Sequence, residues 1–173
     1  MKCPWKDWAD QGLLTLVDDV EIHPAYLADY IAEKKKEFNI EKLALDDFRY
    51  ALLSDALRKI GFDAKTYKNV KLVRPSDIMR VATMIDSCFA NQWFTWGDNP
   101  VLRWATNNTK LIRANRKAGK EDDADVGNFV YGKIEAKSRK TDPFMALAAS
   151  MTVEDALPEA KRPKPKFKVF TFG

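Results

Sequence analysis

The stretch that decides the fold class runs from residue 40 to residue 61 and reads IEKLALDDFRYALLSDALRKIG. Its first part, Ile40 to Leu45, is a short apolar run closed by two aspartates, which is typical of a short buried strand. Apolar residues then recur at positions i, i+3, i+4 and i+7, in Leu53, Ala56, Leu57 and Ile60. This spacing predicts an amphipathic helix, and Gly61 is the residue type that most often ends one. The segment therefore predicts a strand joined directly to a helix.

Strands and helices are predicted to alternate on both sides of this segment. We expect short strands at Leu13 to Val17, Ala64 to Tyr67 and Gln92 to Trp96, and a hairpin that pairs Lys110 to Arg113 with Asn128 to Lys133. We expect helices to begin at Pro24, Pro75, Pro100 and Pro143, because proline suits the first turn of a helix. The opening around Trp5 and Trp8 is predicted to be irregular. This order predicts an α/β fold in which helices flank a mixed sheet.

Length and composition limit the class of protein. The chain has 173 residues, 46% of them hydrophobic, which is enough for one globular domain with its own core. Cys3 and Cys88 are the two cysteines, and their separation excludes a zinc finger or a disulfide-rich module. The sequence has neither the roughly 18 apolar residues of a membrane span nor the apolar run of a signal peptide. We therefore expect a soluble, cytoplasmic protein with no membrane partner.

Positive charge is concentrated in the second half of the chain. The net charge is +4, but lysines and arginines cluster from Arg103 onwards and again from Lys161 to Lys168. Clustered bases release counterions from a phosphate backbone, so a polyanionic partner is one interpretation. A solvated surface with a solubilising tail is the other, and charge alone does not separate the two. Because the end of the chain is basic and rich in proline, we divide the chain into a folded part, residues 1–152, and an extended tail, residues 153–173.

Several common catalytic signatures are missing from the sequence. It contains no GxxxxGK[ST] phosphate loop, so we expect no ATP site of that kind. His23 is the one histidine, which disfavours catalytic triads, histidine–metal sites and histidine-based acid–base chemistry. Carboxylates therefore remain as the candidates for catalysis.

Two aspartates stand where a hard cation is expected to bind. Asp46 follows a short apolar strand, and the carboxyl ends of strands in open α/β sheets present ligands to a crevice. Asp142 begins the last predicted helix, after a lysine-rich segment. Mg²⁺ usually takes one or two carboxylates together with substrate phosphate and water. Helix capping is the alternative at both positions, since Asp47 is a candidate N-cap beside Asp46, and Asp142 followed by Pro143 suits an N-cap and first turn.

Several segments, taken in order, resemble the large subunits of phage terminases, the motors that package viral DNA. The segments are Trp8 to Leu16, Glu41 to Asp46, Asn99-Pro100-Val101-Leu102-Arg103-Trp104, Gly127-Asn128 with Lys133, and Lys140-Thr141-Asp142. The run from Asn99 to Trp104 is the most specific of them. The resemblance extends from about residue 5 to residue 151.

This resemblance implies the C-terminal nuclease domain of the terminase large subunit, which has a ribonuclease H-like fold. In that family three acidic residues bind two divalent ions, Mg²⁺ or Mn²⁺, and cut double-stranded DNA during packaging in the host cell. Asp46 matches the second acid and Asp142 the third. The nearby bases Arg103, Lys133 and Lys140 are candidates for holding the DNA backbone. The terminase small subunit, the portal and an N-terminal ATPase part are the protein partners that the resemblance implies.

The sequence departs from the family pattern at three points. The family's first acid lies on a strand upstream of the segment that Trp8 begins, and residues 1–4 do not match that strand. The ATPase domain with its phosphate loop is absent, and Thr141-Asp142-Pro143 stands where the family usually has Ile-Asp-Gly. We therefore expect an N-terminally truncated nuclease domain that lacks its first strands, with Asp18 or Asp19 as a weaker candidate for the missing acid. The competing hypothesis is a non-catalytic module that binds DNA or docks to the packaging machinery.

Overall fold

Helices and strands alternate along the residues that the computed structural model describes, which are 3–95, 97–113, 129–135, 137 and 140–157. The helices are α1 (Trp5–Asp10), α2 (Pro24–Lys34), α3 (Asp47–Lys59), α4 (Pro75–Ala90), α5 (Pro100–Asn107) and α6 (Asp142–Met151). The strands are β1 (Leu43–Asp46), β2 (Val70–Val73), β3 (Thr109–Arg113) and β4 (Phe129–Lys133). A short 3-10 helix, Glu154–Ala156, follows α6.

Strands β1 and β2 form a parallel pair that helix α3 connects. Leu43 pairs with Val70, and Asp46 pairs with Val73 at the other end. Leucines and valines from alternate positions of the two strands face helices α2 and α3. Together they form a core that we call the α2–α3 core, whose buried members are Ile31, Leu57, Phe62 and Val70 and whose partly buried members include Leu43, Leu45 and Leu72.

A second core lies on the side of helices α4, α5 and α6. The buried members of this α4–α6 core are Ile78, Ile85, Ala105, Phe144 and Ala148. Val73 of β2 packs against it, whereas its neighbour Leu72 packs in the α2–α3 core. Since successive side chains of a strand point to opposite faces, the parallel sheet has helices on both faces. The arrangement is a three-layered α/β/α fold.

Strands β3 and β4 form a separate antiparallel hairpin. Thr109 pairs with Lys133, and Arg113 pairs with Phe129. Tyr131 anchors the hairpin to helix α4, because its hydroxyl lies 3.2 Å from the Ala82 carbonyl and its ring packs edge-on against Phe144. The hairpin therefore belongs to the α4–α6 core.

Most of the predicted elements are confirmed. Helices begin at or next to Pro24, Pro75, Pro100 and Pro143, the central strand ends at Asp46, and the hairpin pairs as expected. Helix α3 stops before Gly61, whose φ of +88° lies in the left-handed region that glycine tolerates best. The α/β class is therefore confirmed, but the described strands form two small sheets, one parallel and one antiparallel, instead of one continuous mixed sheet. Hairpin β3–β4 packs on helix α4 and does not pair with the parallel strands.

Three predicted strands and the irregular opening are wrong. Residues 13–17 form no regular element, and neither do residues 92–95 of the predicted strand Gln92 to Trp96, because no neighbouring strand among the described residues pairs with them. The opening forms helix α1 instead of an irregular segment. The predicted strand Ala64 to Tyr67 is a turn, since the Asp63 carboxylate accepts the backbone N–H groups of the two residues after Ala64.

Several parts of the sequence prediction lie outside the described residues, among them Trp96 and Asn128 at the ends of predicted strands and two longer segments. One is the polar loop of the hairpin, Ala118 to Val126. The other is the basic, proline-rich segment Pro158 to Lys168.

Candidate functional site

Asp46 stands at the carboxyl end of β1, where it joins strand to helix. Its Oδ1 accepts the backbone N–H of Phe48 at 2.8 Å, so Asp46 is the N-cap of helix α3. Asp47 was the expected cap and is instead the first helical residue. The Asp46 side chain is exposed, and its Oδ2 makes no hydrogen bond within the described residues. Oδ1 of Asp46 thus caps helix α3, while Oδ2 is left for another partner.

The same edge of the parallel sheet carries an ion pair that the sequence analysis did not identify. Arg74 follows β2, and its Nε lies 3.4 Å from Oδ2 of Asp47. The Arg74 backbone N–H donates to Asp77 at 2.9 Å, and this bond, with the nearby Arg80 and Lys71 cations, lowers the Asp77 pKa. Asp three residues after an N-cap is a capping signal that the sequence contained. The ion pair joins the starts of helices α3 and α4.

Asp142 is the first residue of helix α6. The buried Thr141 precedes it at the N-cap position, and its side chain makes no capping hydrogen bond. Asp142 is exposed and has no hydrogen bond or ion pair within the described part of the chain. The alternative of an Asp142 N-cap is therefore wrong. An exposed carboxylate in the first turn is also favoured by the helix dipole, which is a structural reason for an acid at this position.

The elements that carry the two aspartates pack against each other. Helix α6 packs against β1. Val73, the partner of Asp46 in the sheet, packs against the core that contains Phe144, two residues after Asp142. No direct contact joins the two carboxylates among the described residues. The elements that carry them, β1 and α6, contact each other.

The donor set is compatible with Mg²⁺ or Mn²⁺ but does not form a complete cage. Both aspartates offer exposed carboxylate oxygens, the ligand type that hard cations prefer. Within the described ranges, no group of three or more His, Cys, Asp or Glu side chains is placed to hold a metal ion. Any cation held here would keep water or phosphate oxygens as further ligands, as Mg²⁺ commonly does.

The other candidate residues lie in different surroundings. Arg103 forms an ion pair with Asp98, in which its Nη2 lies 2.6 Å from Oδ1 of the aspartate. Lys133 ends the hairpin and is half-buried, whereas Lys140 is exposed just before α6. Asp19, one of the weaker acid candidates, accepts the Tyr26 hydroxyl at 3.1 Å. Of the three candidate bases, Lys140 therefore combines exposure with closeness in sequence to Asp142.

An open depression of about 560 Å³ lies elsewhere, between helix α2 and the segment before it. Asp19, His23, Tyr26 and Asp29 are among its lining residues, and neither Asp46 nor Asp142 is one of them. His23 caps α2 by accepting the Ala25 N–H at 3.2 Å, so the one histidine has a structural role. Among the described helices, none combines the length and the apolar character that a membrane crossing requires.

Comparison with known proteins gives a structural similarity. No protein-family model matches the chain, and no curated protein matches it. The crystal structure of the HK97 bacteriophage large terminase matches with a TM-score of 0.68 at 20% sequence identity. The match covers 87% of this chain and 29% of the HK97 chain, so this chain spans less than a third of that protein. The chain therefore has the fold of a part of a phage large terminase.

Proposed function

We propose that this chain is the nuclease portion of a phage terminase large subunit, with a ribonuclease H-like fold, and that it cuts double-stranded DNA with the help of Mg²⁺ or Mn²⁺. The observation that carries the proposal is the position of Asp46 and Asp142 within a terminase-like fold. Asp46 ends a parallel strand and Asp142 begins a helix that packs on that strand. Two exposed carboxylates on neighbouring elements suit a hard cation and a phosphodiester substrate.

Asp46, Asp142 and Lys140 would each have a separate role in the proposed reaction. Asp46 uses Oδ1 to cap α3 and keeps Oδ2 for a cation, so the helix fixes the direction of the carboxylate. Asp142 is held by the first turn of α6, which is anchored by the buried Phe144. A bound divalent ion would activate water and stabilise the leaving oxygen of the phosphodiester. Lys140, exposed two residues before Asp142, is the base best placed to attract the DNA backbone.

A non-catalytic role remains the second candidate, and one observation favours it. The described residues hold no three-membered acidic cluster, whereas the proposed chemistry in the resembling family uses three acids. In that case the domain would bind DNA or dock to the small subunit, the portal or the ATPase part without cutting.

The test is nicking of supercoiled plasmid in Mn²⁺ by the whole chain and by Asp46→Asn and Asp142→Asn variants. Asparagine preserves the size of each side chain, and it remains a good N-cap at position 46. Loss of a metal ligand should reduce the nicking rate by about 100-fold or more, since even outer-shell partners of metal ligands matter by about 10–100-fold. Asp55→Asn is the matched control, because Asp55 is an exposed aspartate on α3 that pairs with Arg58 of the same helix.

The outcomes separate the two candidates. Nicking that both substitutions abolish and that the control retains supports the nuclease. Nicking that survives both substitutions contradicts the two-aspartate site. No nicking by the unaltered chain, together with DNA binding that weakens with salt and survives both substitutions, supports the non-catalytic role.

A further inference from the structure

The outer edge of β1 is open. Leu43 donates its N–H to the Asn69 carbonyl at 2.9 Å, so the backbone groups of Leu43 and Leu45 point toward β2. In a parallel ladder the intervening residues point the other way, which directs the N–H and C=O groups of Ala44 and the N–H of Asp46 away from β2. These Ala44 groups have no backbone partner within the described residues. We call this row of groups the open edge.

Between Lys42 and Asp46 the open edge carries none of the usual protection against pairing. Exposed edges are commonly blocked by lysine, proline, a bulge or a covering element. Leu43-Ala44-Leu45 contains no charge and no proline, and both of its faces are already packed by helices. Parallel sheets covered on both faces usually contain more strands than two. The chemistry of the open edge therefore suits one occupant, an extended backbone strand.

The same chain carries an unpaired segment with the properties of such a strand. Residues 13–17, Leu-Leu-Thr-Leu-Val, lie outside any helix or strand, and no backbone hydrogen bond involves residues 14–17 within the described residues. Leu16 is 59% exposed and Leu13 is 37% exposed. Leucine, valine and threonine with free backbone groups can complete a sheet edge at little conformational cost. We call this stretch the donor segment.

We propose that the donor segment of one copy adds to the open edge of a second copy, and that the exchange is reciprocal, so that the chain forms a closed dimer. The acceptor edge is four residues long and the donor segment five, so their lengths match. Each copy supplies one donor and one acceptor, which is the self-complementarity that a two-fold dimer needs. The pairing is β-strand addition, in which main-chain hydrogen bonds supply the affinity. It is independent of the proposed nuclease function.

Two proline variants test the proposal by sedimentation velocity of the whole chain. Ala44→Pro removes the outward N–H from the open edge and leaves the β1–β2 bonds, which use Leu43 and Leu45. Thr15→Pro removes an N–H from the donor segment that has no backbone partner in the described part of the chain, so folding should be unaffected. Because the reciprocal dimer contains two donor–edge contacts, each variant loses two hydrogen bonds per dimer. This loss should weaken dimerisation by about 30-fold. Val20→Pro is the control, since Val20 is fully exposed and lies beyond the donor segment.

Weaker dimerisation of both proline variants, with the Val20→Pro control unchanged, supports the reciprocal exchange. Thermal unfolding confirms that each variant is folded. A monomeric unaltered chain, a Thr15→Pro variant that dimerises as tightly as the unaltered chain, or assemblies larger than dimers would overturn the proposal. Dimers of Thr15→Pro together with monomers of Ala44→Pro would point instead to direct pairing of two β1 edges.

Discussion

Asp46 is placed to serve two purposes, and two substitutions separate them. Asp46→Ala removes the 2.8 Å hydrogen bond to the Phe48 N–H, and we expect it to lower the free energy of unfolding by about 1 kcal/mol, the usual worth of an N-cap. Asp46→Asn keeps a capping oxygen and removes the charge. Because asparagine caps as well as aspartate, its cost should be only about 0.3–0.5 kcal/mol from the lost interaction with the helix dipole.

These differences are large enough to measure by thermal unfolding. For a chain of this size, about 1 kcal/mol corresponds to a fall in Tm of roughly 2–4 °C. Repeating the melts with Mn²⁺ measures the second role, since a ligand that binds only the folded chain raises its stability. The unaltered chain should gain stability from Mn²⁺, whereas both variants should gain much less.

The result that would refute the reasoning differs for each role. Equal losses for Asp46→Ala and Asp46→Asn without metal would mean that the carboxylate does not act as a cap. An unchanged Mn²⁺ effect in Asp46→Asn would mean that this carboxylate does not hold the ion. Asp55→Asn serves again as the control for the loss of one negative charge.

Three further predictions concern stability. A hydrogen bond from the Thr66 backbone N–H holds the Asp63 pKa at about 2, below its usual 3.8. The stability that this charge contributes is therefore complete above about pH 4 and is lost as the pH falls toward 2. In Asp63→Asn, the free energy of unfolding should fall less steeply over this acid range. Ile85→Ala, at a fully buried position, should cost about 3 kcal/mol in urea unfolding. Gly132→Ala, whose Cβ would collide with Ile112 Cδ1, should cost about 1 kcal/mol, and Ile112→Ala in the same chain should remove most of that cost.

Helices were predictable from this sequence because their signals are local. Proline at the first turn, the i, i+3, i+4 spacing of apolar residues and Gly61 after α3 each act within a few residues. Asn99 shows this most clearly, since its side chain accepts the N–H groups of Val101 and Leu102 at 3.1 Å. The same local logic located Asp46 and Asp142 at the ends of elements.

Strands were less predictable because a strand exists only with a partner. Leucines and valines at 13–17 have the right propensity but no neighbour, so no strand forms there. The strand expected at Ala64 to Tyr67 begins instead at Val70. The Asp63 carboxylate accepts the N–H groups of Lys65 and Thr66, and so it holds the residues before Val70 in a turn. The Asp47–Arg74 ion pair joins residues 27 positions apart, and no local pattern reveals such a contact.

The two cores are formed by consecutive parts of the chain, so the residues of one are synthesised before those of the other. Every member of the α2–α3 core lies between Leu27 and Leu72, and every member of the α4–α6 core lies between Val73 and Met151. During translation the first core has all of its residues before the second begins to emerge, so the first half can collapse as its own cooperative unit. Lys71 of β2 then links the two parts, because its Nζ donates a hydrogen bond to the Thr152 carbonyl at the end of α6 at 2.9 Å. Helix α6, which is synthesised well after the parallel strands, is thus attached to them through this bond and through its packing on β1.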